Sequence, residues 1–300
     1  MLSRRQILAL LAAGPALAAP QADFSTGVKI VSMLVTVRDR NGKFVNDLDQ
    51  GDFIVEDEGQ PQTIRYFSRQ YDLPLTLGLL VDFSLSQLSV LGEELAASAA
   101  FFKQILREGM DKAFLVAFAA RAWLMQDVTA SRAELEACLK TMVQGLTDPE
   151  SASATVLYDA VTGASDQIMA RLQGRKAVVL LTDGQDNASK HTLDKAVASC
   201  QRTDTVAYSI GIGSGLAAAA PNLEALSRRT GGGYFAVTKK QTVDTIYRTI
   251  EEELRSQYSL GYVPPAPEPE KSGTGFRRVR VTVNRAGTTV RTRDGYYAGG

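Results

Sequence analysis

The middle of the chain alternates short apolar runs with longer amphipathic segments. Apolar runs bounded by polar residues are typical of strands buried on both faces of a parallel sheet, and six such strands are predicted at 75–81, 113–118, 123–128, 177–181, 205–210 and 234–237. Helices are predicted between and after them, at 87–106, 131–142, 156–171, 192–200, 222–228 and 243–256. Strands separated by helices predict an α/β fold with a doubly wound, mostly parallel six-stranded sheet.

The short interval between Phe118 and Trp123 predicts a hairpin, so one edge strand of this sheet is expected to run antiparallel. The segments on both sides of the α/β region have a β pattern instead, at 28–37, 52–57 and 63–67 before it and at 258–263, 276–283 and 290–293 after it. Each flank has too few strands to form a core alone. We therefore predict that the flanks pair into a small β-sandwich, with the α/β domain inserted between them.

The first 19 residues have the layout of a cleavable export signal. Arg4 and Arg5 precede an apolar stretch shorter than the roughly 20 residues that span a bilayer, and small residues up to Ala19 offer a cleavage site. Twin-arginine and general secretory export both remain open. The expected organisation is a signal at 1–19, a β segment at 28–72, the α/β domain at 73–256 and a β segment at 257–298. No later stretch is predicted to span a membrane, and we expect a periplasmic or extracellular protein.

Composition narrows the possible partners. The chain has 300 residues, of which 45% are hydrophobic and 22% charged, as in ordinary folded proteins. Lys plus Arg and Asp plus Glu both number 33, and no basic run is present, so nucleic acid is not an expected partner. Cys138 and Cys200 are the only cysteines. A disulfide between them is possible in an exported protein, but two unpaired, buried residues are the favoured interpretation.

Three oxygen-rich loops are predicted at one edge of the sheet. Asp82, Ser84 and Ser86 follow the strand at 75–81, Asp183 follows the strand at 177–181, and Thr155 precedes the helix at 156–171. The carboxyl ends of parallel strands are where open α/β sheets bind ligands. Carboxylate and hydroxyl oxygens suit a hard cation such as Mg²⁺ better than zinc. Taken singly, the same residues could end strands, cap a helix or form a turn.

Together, these loops resemble the metal-ion-dependent adhesion site of von Willebrand factor type A (vWA) domains. The motifs that carry the resemblance are Asp82-Phe-Ser84-Leu-Ser86, Thr155 before Leu157-Tyr-Asp-Ala160, and Leu180-Leu-Thr-Asp183-Gly. The strand order and spacing from Leu75 to Ser256 are similar to the family as well. The flanking β segments resemble those of exported bacterial VWFA-related proteins, which extends the likeness to most of the chain.

The resemblance implies a Mg²⁺ or Mn²⁺ site that a partner protein completes. Ser84 and Ser86 would bind the cation through their hydroxyls, and Asp82, Thr155 and Asp183 would bind it directly or through water. Octahedral coordination then leaves a position for an Asp or Glu side chain of the partner. Phe83 and Leu85 stand where the family often has small residues, so they would narrow access to the metal or form part of the partner surface. Asp186 is a further candidate near the metal, with a solvated turn as its alternative.

Three classes of function are compatible with these residues. The leading interpretation is an exported, non-enzymatic module that binds a protein partner through the metal. A hydrolase using Ser84 or Ser86, or a metal-assisted phosphatase, is the second, but the chain has no Gly-x-Ser-x-Gly elbow, only His191 as a histidine base, and no second carboxylate cluster. A structural scaffold with a relic site is the third. We also expect the helix at 243–256 to be coupled to the sandwich, because it leads directly into Gln257.

Overall fold

The structure is a computed structural model that describes residues 30–69, 73–87, 91–145, 154–213, 216–265 and 275–298. The export signal predicted at 1–19 lies outside the described residues, as do the first residues of the strand predicted at 28–37. Within the described ranges the chain forms a six-stranded sheet covered by helices and two four-stranded sheets.

The elements follow the predicted order closely. The strands are β1 (Val31–Arg38), β2 (Phe53–Asp57), β3 (Gln60–Gln62), β4 (Ile64–Arg69), β5 (Leu75–Asp82), β6 (Lys112–Phe118), β7 (Ala122–Thr129), β8 (Arg175–Thr182), β9 (Thr205–Gly211), β10 (Tyr234–Ala236), β11 (Tyr258–Tyr262), β12 (Phe276–Val283), β13 (Thr289–Arg291) and β14 (Gly295–Tyr297). The helices are α1 (Leu91–Ile105), α2 (Arg132–Gly145), α3 (Leu157–Gly163), α4 (Leu193–Arg202), α5 (Leu216–Thr230) and α6 (Val243–Arg255).

The central sheet has the strand order β10-β9-β8-β5-β6-β7. All neighbouring pairs are parallel except β6 and β7, which are antiparallel at one edge. Helices α1, α2 and α6 cover one face, and α3, α4 and α5 cover the other. Every residue of β5, β8 and β9 is buried as a result, which explains their nearly continuous apolar sequences. The predicted α/β fold with one antiparallel edge strand is confirmed.

The helix predicted at 156–171 is a regular α-helix only as far as Gly163. It continues as a π turn over Ala164–Ile168 and a 3₁₀ turn over Met169–Arg171. Residues five apart lie on different faces of an α-helix but on nearly the same face of a π turn, whose hydrogen bonds join residues five apart. The wider turn therefore lets Ala164 and Met169 both pack against the sheet.

Helix α5 also differs from its prediction, since it begins at Leu216 rather than at Asn222. Pro221 lies inside this helix. Proline lacks the backbone N–H that continues a helix, and its ring crowds the preceding turn, so in sequence it indicates a boundary. Ala219 is buried before the proline and Leu223 lies in the α/β core after it, which favours helix on both sides of the proline.

The two flanking β segments interleave to form the sandwich. One sheet has the order β13-β1-β11-β4 and the other β14-β12-β2-β3, so each combines strands from before and after the α/β domain. Their inner faces share a core that includes the fully buried Met33, Val35, Leu260 and Tyr262. The predicted sandwich with its inserted α/β domain is confirmed.

The two cysteines lie on opposite sides of the central sheet. Cys138 of α2 packs against the core on one face and Cys200 of α4 lies in the core on the other. Both are free thiols, as the sequence favoured, but only Cys200 is buried and Cys138 is half-buried. None of the helices in the described part of the chain has the length and apolar character needed to cross a bilayer.

A buried carboxylate anchors the end of α6 to the sandwich. Glu253 has no exposed surface, and its Oε2 atom accepts hydrogen bonds from Arg38 of β1 at 3.0 Å and from Arg291 of β13 at 2.7 Å. Its Oε1 atom accepts a bond from the hydroxyl of Tyr208 in β9 at 3.3 Å. We call these four residues the Glu253 clamp. Strand β11 of the sandwich directly follows α6 in the chain. The covalent connection and the Glu253 clamp therefore hold the α/β domain and the sandwich together at the same place.

The clamp predicts the effect of neutralising its carboxylate. Glu253→Gln is expected to lower the free energy of unfolding by about 2 kcal/mol in urea denaturation, because it leaves two arginines without their shared anion. Breaking a fully buried pair costs about 3–5 kcal/mol, and the partial exposure of both arginines reduces this value. Glu252→Gln changes an exposed residue of the same helix and should have an effect below about 0.5 kcal/mol. Equal effects of the two substitutions would contradict a stabilising clamp.

Candidate metal centre

Asp82 is the last residue of β5 and has no exposed surface. Its Oδ1 atom accepts the backbone N–H of Ser84 at 2.8 Å, which bends the chain back over the end of the strand. Its Oδ2 atom accepts the hydroxyl of Thr182 at 2.6 Å. Burial raises the pKa of Asp82 to about 6, although these hydrogen bonds lower it, and the nearby Asp183 raises it further.

A chain of short contacts joins the first loop to the end of β8. The hydroxyls of Ser84 and Ser86 are 3.0 Å apart, and the Ser86 hydroxyl donates to Oδ2 of Asp183 at 2.7 Å. The other carboxylate oxygen of Asp183 accepts the backbone N–H of Gln185 at 3.0 Å. The structure thus brings together four of the five predicted metal ligands, namely Asp82, Ser84, Ser86 and Asp183.

Thr182 was not among the residues predicted for the site. It ends β8 beside the end of β5, and its hydroxyl orients Asp82 while accepting the backbone N–H of Gly184 at 2.9 Å. The available signal was its position directly before Asp183 on a strand that neighbours β5. Gly184 then turns the chain with a φ of +79°, and a Cβ atom there would lie 2.7 Å from side chains of α5. Only glycine fits this turn.

Thr155 lies at the same edge of the sheet but makes different contacts. Its backbone N–H donates to the Asn187 side chain at 2.8 Å, and the next residue, Val156, donates its N–H to the carbonyl of Ala119 after β6 at 2.8 Å. These bonds fix the third loop between the ends of β6 and β8. In the described residues no hydrogen bond joins the Thr155 side chain to the other four predicted ligands, although this residue is only 4% exposed.

The three predicted neighbours of the metal have different environments. Phe83 is 1% exposed and belongs to the core between α1 and the sheet, so we assign it a packing role, whereas Leu85 is 53% exposed. Asp186 accepts the backbone N–H of Tyr158 at 2.9 Å and the Ser189 hydroxyl at 2.5 Å. These bonds make Asp186 a support for the first turn of α3 and its neighbouring loop.

The described residues do not balance the negative charges at this edge of the sheet. Asp82 and Asp183 are 0% and 3% exposed, and within the described ranges neither forms an ion pair with Lys, Arg or His. Two adjacent buried carboxylates without a cation are unfavourable. Together with two hydroxyl groups they provide the oxygen donors that a hard divalent cation prefers. The residues present therefore fit such an ion.

Metal chemistry based on nitrogen or sulfur ligands has no comparable support. Across the described part of the chain, no three His, Cys, Asp or Glu side chains come close enough to hold a metal. The ring of His191 pairs with Asp159 at 2.7 Å on the protein surface. A cation at this edge would therefore depend on hydroxyl as much as on carboxylate oxygens.

Glu94 of α1 adds a third buried acid, behind the site. It is 2% exposed, and neither of its carboxylate oxygens has a hydrogen-bond partner in the described structure. Burial raises the pKa of Glu94 to about 8, with a smaller contribution from the charge of Asp82. Burial raises the pKa of Tyr247 on α6, and the carboxylate charge of Glu94 raises it further.

The fold and the oxygen-rich edge define an α/β domain of the vWA class. Residues 112–249 match the family model for the von Willebrand factor type A domain, and the chain therefore contains such a domain. The match begins at β6, so it includes Thr155 and Asp183 but not the loop from Asp82 to Ser86. No curated protein matches the chain in sequence.

Solved structures show the same fold at low sequence identity. A von Willebrand factor type A protein from Catenulispora acidiphila aligns with a TM-score of 0.50 and 13% identity, over 92% of this chain and 75% of that one. The vWF domain of the type V pili tip protein Mfa5 from Porphyromonas gingivalis aligns with a TM-score of 0.50 and 13% identity, over 60% and 94%. Proximal thread matrix protein 1 from the mussel byssus, which has a zinc-occupied MIDAS motif, aligns with a TM-score of 0.50 and 18% identity, over 65% and 48%.

The unpaired acid predicts how stability changes with pH. The pKa of Glu94 is about 8 in the folded chain and about 4.5 for an ordinary glutamate, so between these values the folded chain keeps a proton that the unfolded chain releases. Its contribution to stability is therefore full below pH 4.5 and is lost as the pH rises to 8, by about 1.4 kcal/mol per unit. Glu94→Gln should become progressively more stable than the parent from pH 5 to pH 8.

Urea unfolding at pH 5, 6, 7 and 8 in EDTA measures this difference. Asp82 titrates in both proteins, so its own contribution largely cancels in the comparison, and Tyr247 stays protonated because burial raises its pKa further above this range. Glu93→Gln, an exposed change one residue away, should follow the parent at every pH. A constant difference between Glu94→Gln and the parent would show that Glu94 titrates normally.

Proposed function

We propose that this chain is an exported, non-enzymatic binding module that captures a protein partner through a bound Mg²⁺ or Mn²⁺ ion. The observation that carries the proposal is the pair of buried carboxylates, Asp82 and Asp183, which converge with two serine hydroxyls and have no cationic side chain beside them in the described structure. Mediation of protein–protein interaction and adhesion is common among vWA domains, and one structural neighbour is a pilus tip protein.

In this proposal each loop has a separate role. Ser84 and Ser86 would hold the ion through neutral hydroxyls, and Thr155 would complete the protein ligands from the third loop. Asp82 and Asp183 would neutralise the charge and orient the hydroxyls, as Asp183 already does with Ser86. The bound ion would supply a positive charge that attracts an Asp or Glu of the partner. Two of the three donors in the first loop are neutral, so much of that charge stays available.

The partner surface would include Leu85. This side chain lies between the two metal-binding serines and is more than half exposed. An exposed leucine beside the metal would give the partner an apolar contact that the surrounding polar groups cannot provide. Asp186 would act indirectly, by holding α3 and the loop beside Thr155.

The same geometry disfavours the hydrolase interpretation. The Ser86 hydroxyl donates to a carboxylate, and the only histidine pairs with Asp159 instead of a serine. A serine nucleophile requires a base within hydrogen-bond reach, and the described residues place no histidine there. A scaffold with a relic site is the remaining alternative, and metal binding decides between it and the proposal.

We further propose the division of the chain and its export. The apolar segment after Arg4 and Arg5 supports a signal at 1–19, and the element order supports a β segment at 28–72, the vWA domain at 73–256 and a β segment at 257–298. Interleaving of the flanks in both sheets of the sandwich supports a single folding unit for the two β segments.

Metal binding predicts opposite effects of one substitution with and without the ion. Mg²⁺ or Mn²⁺ at 100 times its dissociation constant should stabilise the parent by about 2.7 kcal/mol, seen as a rise of about 5 °C in the melting temperature. Asp183→Ala should abolish this rise. In EDTA the same variant should be at least as stable as the parent, because it removes one of two adjacent buried anions.

The controls separate this site from general ion effects. Asp127→Ala removes an exposed carboxylate on β7 and should keep the full metal response, and Zn²⁺ serves as a third ion because a neighbouring structure binds it. A response to none of the three ions, or an equal response in Asp183→Ala, would leave the relic scaffold as the better interpretation.

Partner capture predicts a dependence on metal, acid and Leu85 together. Peptides selected from a random library in Mg²⁺ should contain an Asp or Glu and should lose binding in EDTA or when that acid becomes its amide. Leu85→Ser should lower the affinity for these peptides about tenfold, because it removes roughly 1.4 kcal/mol of apolar contact. It should not change the metal-dependent rise in melting temperature. Leu124→Ser, which alters an equally exposed leucine on β7, should bind normally. Selected peptides without an acid would refute this mode of capture.

A further inference from the structure

A cavity lies at the amino-terminal ends of the central strands, where the central sheet meets the sandwich. Its volume is about 170 Å³. Arg175 and Lys176 at the start of β8 line one side, and Ser32 of β1 and Ser259 of β11 line the other. Arg293, between β13 and β14, also lines it. We call this space the junction cavity, because both parts of the fold contribute its walls.

The junction cavity is strongly basic. Arg175, Lys176 and Arg293 are only 6%, 9% and 8% exposed, and Asp204 is the one acidic residue among the described lining residues. Arg293 pairs with Asp204 and also donates to the carbonyls of Gln201 at 3.1 Å and Ser32 at 2.7 Å. Asp204 is therefore already paired with Arg293. Arg175 and Lys176 are two buried cations that form no ion pair with a described residue, although the charges of Asp111 and Asp204 act on them.

Among the described residues, the hydrogen-bond partners of these two cations are all backbone carbonyls. Lys176 donates to the carbonyls of Leu172 at 3.1 Å and Met169 at 3.5 Å. Arg175 donates to the carbonyls of Leu254 at 2.5 Å and Leu73 at 3.4 Å. Neither forms an ion pair with a described residue. Carbonyl dipoles satisfy donors but do not neutralise a buried charge. Burial accordingly lowers the pKa of Lys176 and that of Arg175.

We infer that the junction cavity binds a small oxyanion, a phosphate or a carboxylate, as the missing counter-charge. Lys176 provides a compact charge for it, Arg175 a second charge with spare N–H donors, and the hydroxyls of Ser32 and Ser259, which are 3.5 Å apart, provide neutral donors. Because the walls come from the vWA domain and from the sandwich, the anion stabilises the joint that the Glu253 clamp also holds. This site is separate from the proposed metal site at the other end of β8.

The test uses the whole chain without its signal, in metal-free buffer at constant ionic strength. Thermal melting and calorimetric titration with inorganic phosphate and with malonate, each compared with chloride, should show a saturable rise in melting temperature for at least one oxyanion. The stronger of the two identifies the chemistry. Lys176→Met should lower the affinity for that anion about tenfold or more. Methionine has a similar shape to lysine but lacks the charged hydrogen-bond donor. It should fold as stably as the parent without anion, since an uncompensated buried charge is gone.

Lys140→Met is the matched control, since Lys140 is an exposed lysine on α2; it should bind the anion as the parent does. An equal loss in both variants, or no response beyond that to chloride, overturns the proposal. Asp183→Ala should leave anion binding intact, so a failure here is distinguishable from a failure of the metal site.

Discussion

Compensation of buried charge is the constraint on which the rest of this structure depends. The fold joins two parts through the end of α6, and at that joint a carboxylate is completely removed from water. Glu253 is tolerated there because Arg38 and Arg291 come from the neighbouring strands β1 and β13 of one sandwich sheet and meet at its oxygens. Those strands are also far apart in sequence. The vWA domain and the sandwich are therefore not independent units joined by a linker, since arginines of the sandwich neutralise a buried carboxylate of the vWA domain.

The same constraint makes two other places conspicuous, and they lie at opposite ends of one strand. β8 begins with Arg175 and Lys176 and leads at its far end into Asp183, a separation of about 26 Å for eight residues of strand. Within the described residues, the two cations at one end form no ion pair with an acid, and the two carboxylates at the other end form none with a base. The charges cannot neutralise each other across that distance. For this reason we propose a ligand of opposite sign at each end of the strand.

Sequence predicted the parts of this arrangement that depend on local pattern. Unbroken apolar runs placed Asp82 and Asp183 at strand ends, and parallel pairing put those ends at one edge. That these residues hold a metal is still a prediction. Contacts between distant segments could not be predicted, since nothing near Glu253 in the sequence indicates Arg38 or Arg291. Thr182 was missed because a threonine that ends a strand is ordinary until its hydroxyl is seen to orient Asp82.

A comparison with Asp57 shows why burial alone does not indicate a binding site. Asp57 is as fully buried as Asp82, but it lies in the sandwich and accepts hydrogen bonds from the hydroxyls of Tyr262 and Tyr296 and from the guanidinium of Arg277. Its charge is balanced and its oxygens are satisfied, so it stabilises the core and needs no ligand. Asp82 has two hydrogen bonds from neutral groups and a second carboxylate nearby. The difference between a structural acid and a candidate ligand therefore lies in the sign of the neighbouring charge, which only the folded arrangement reveals.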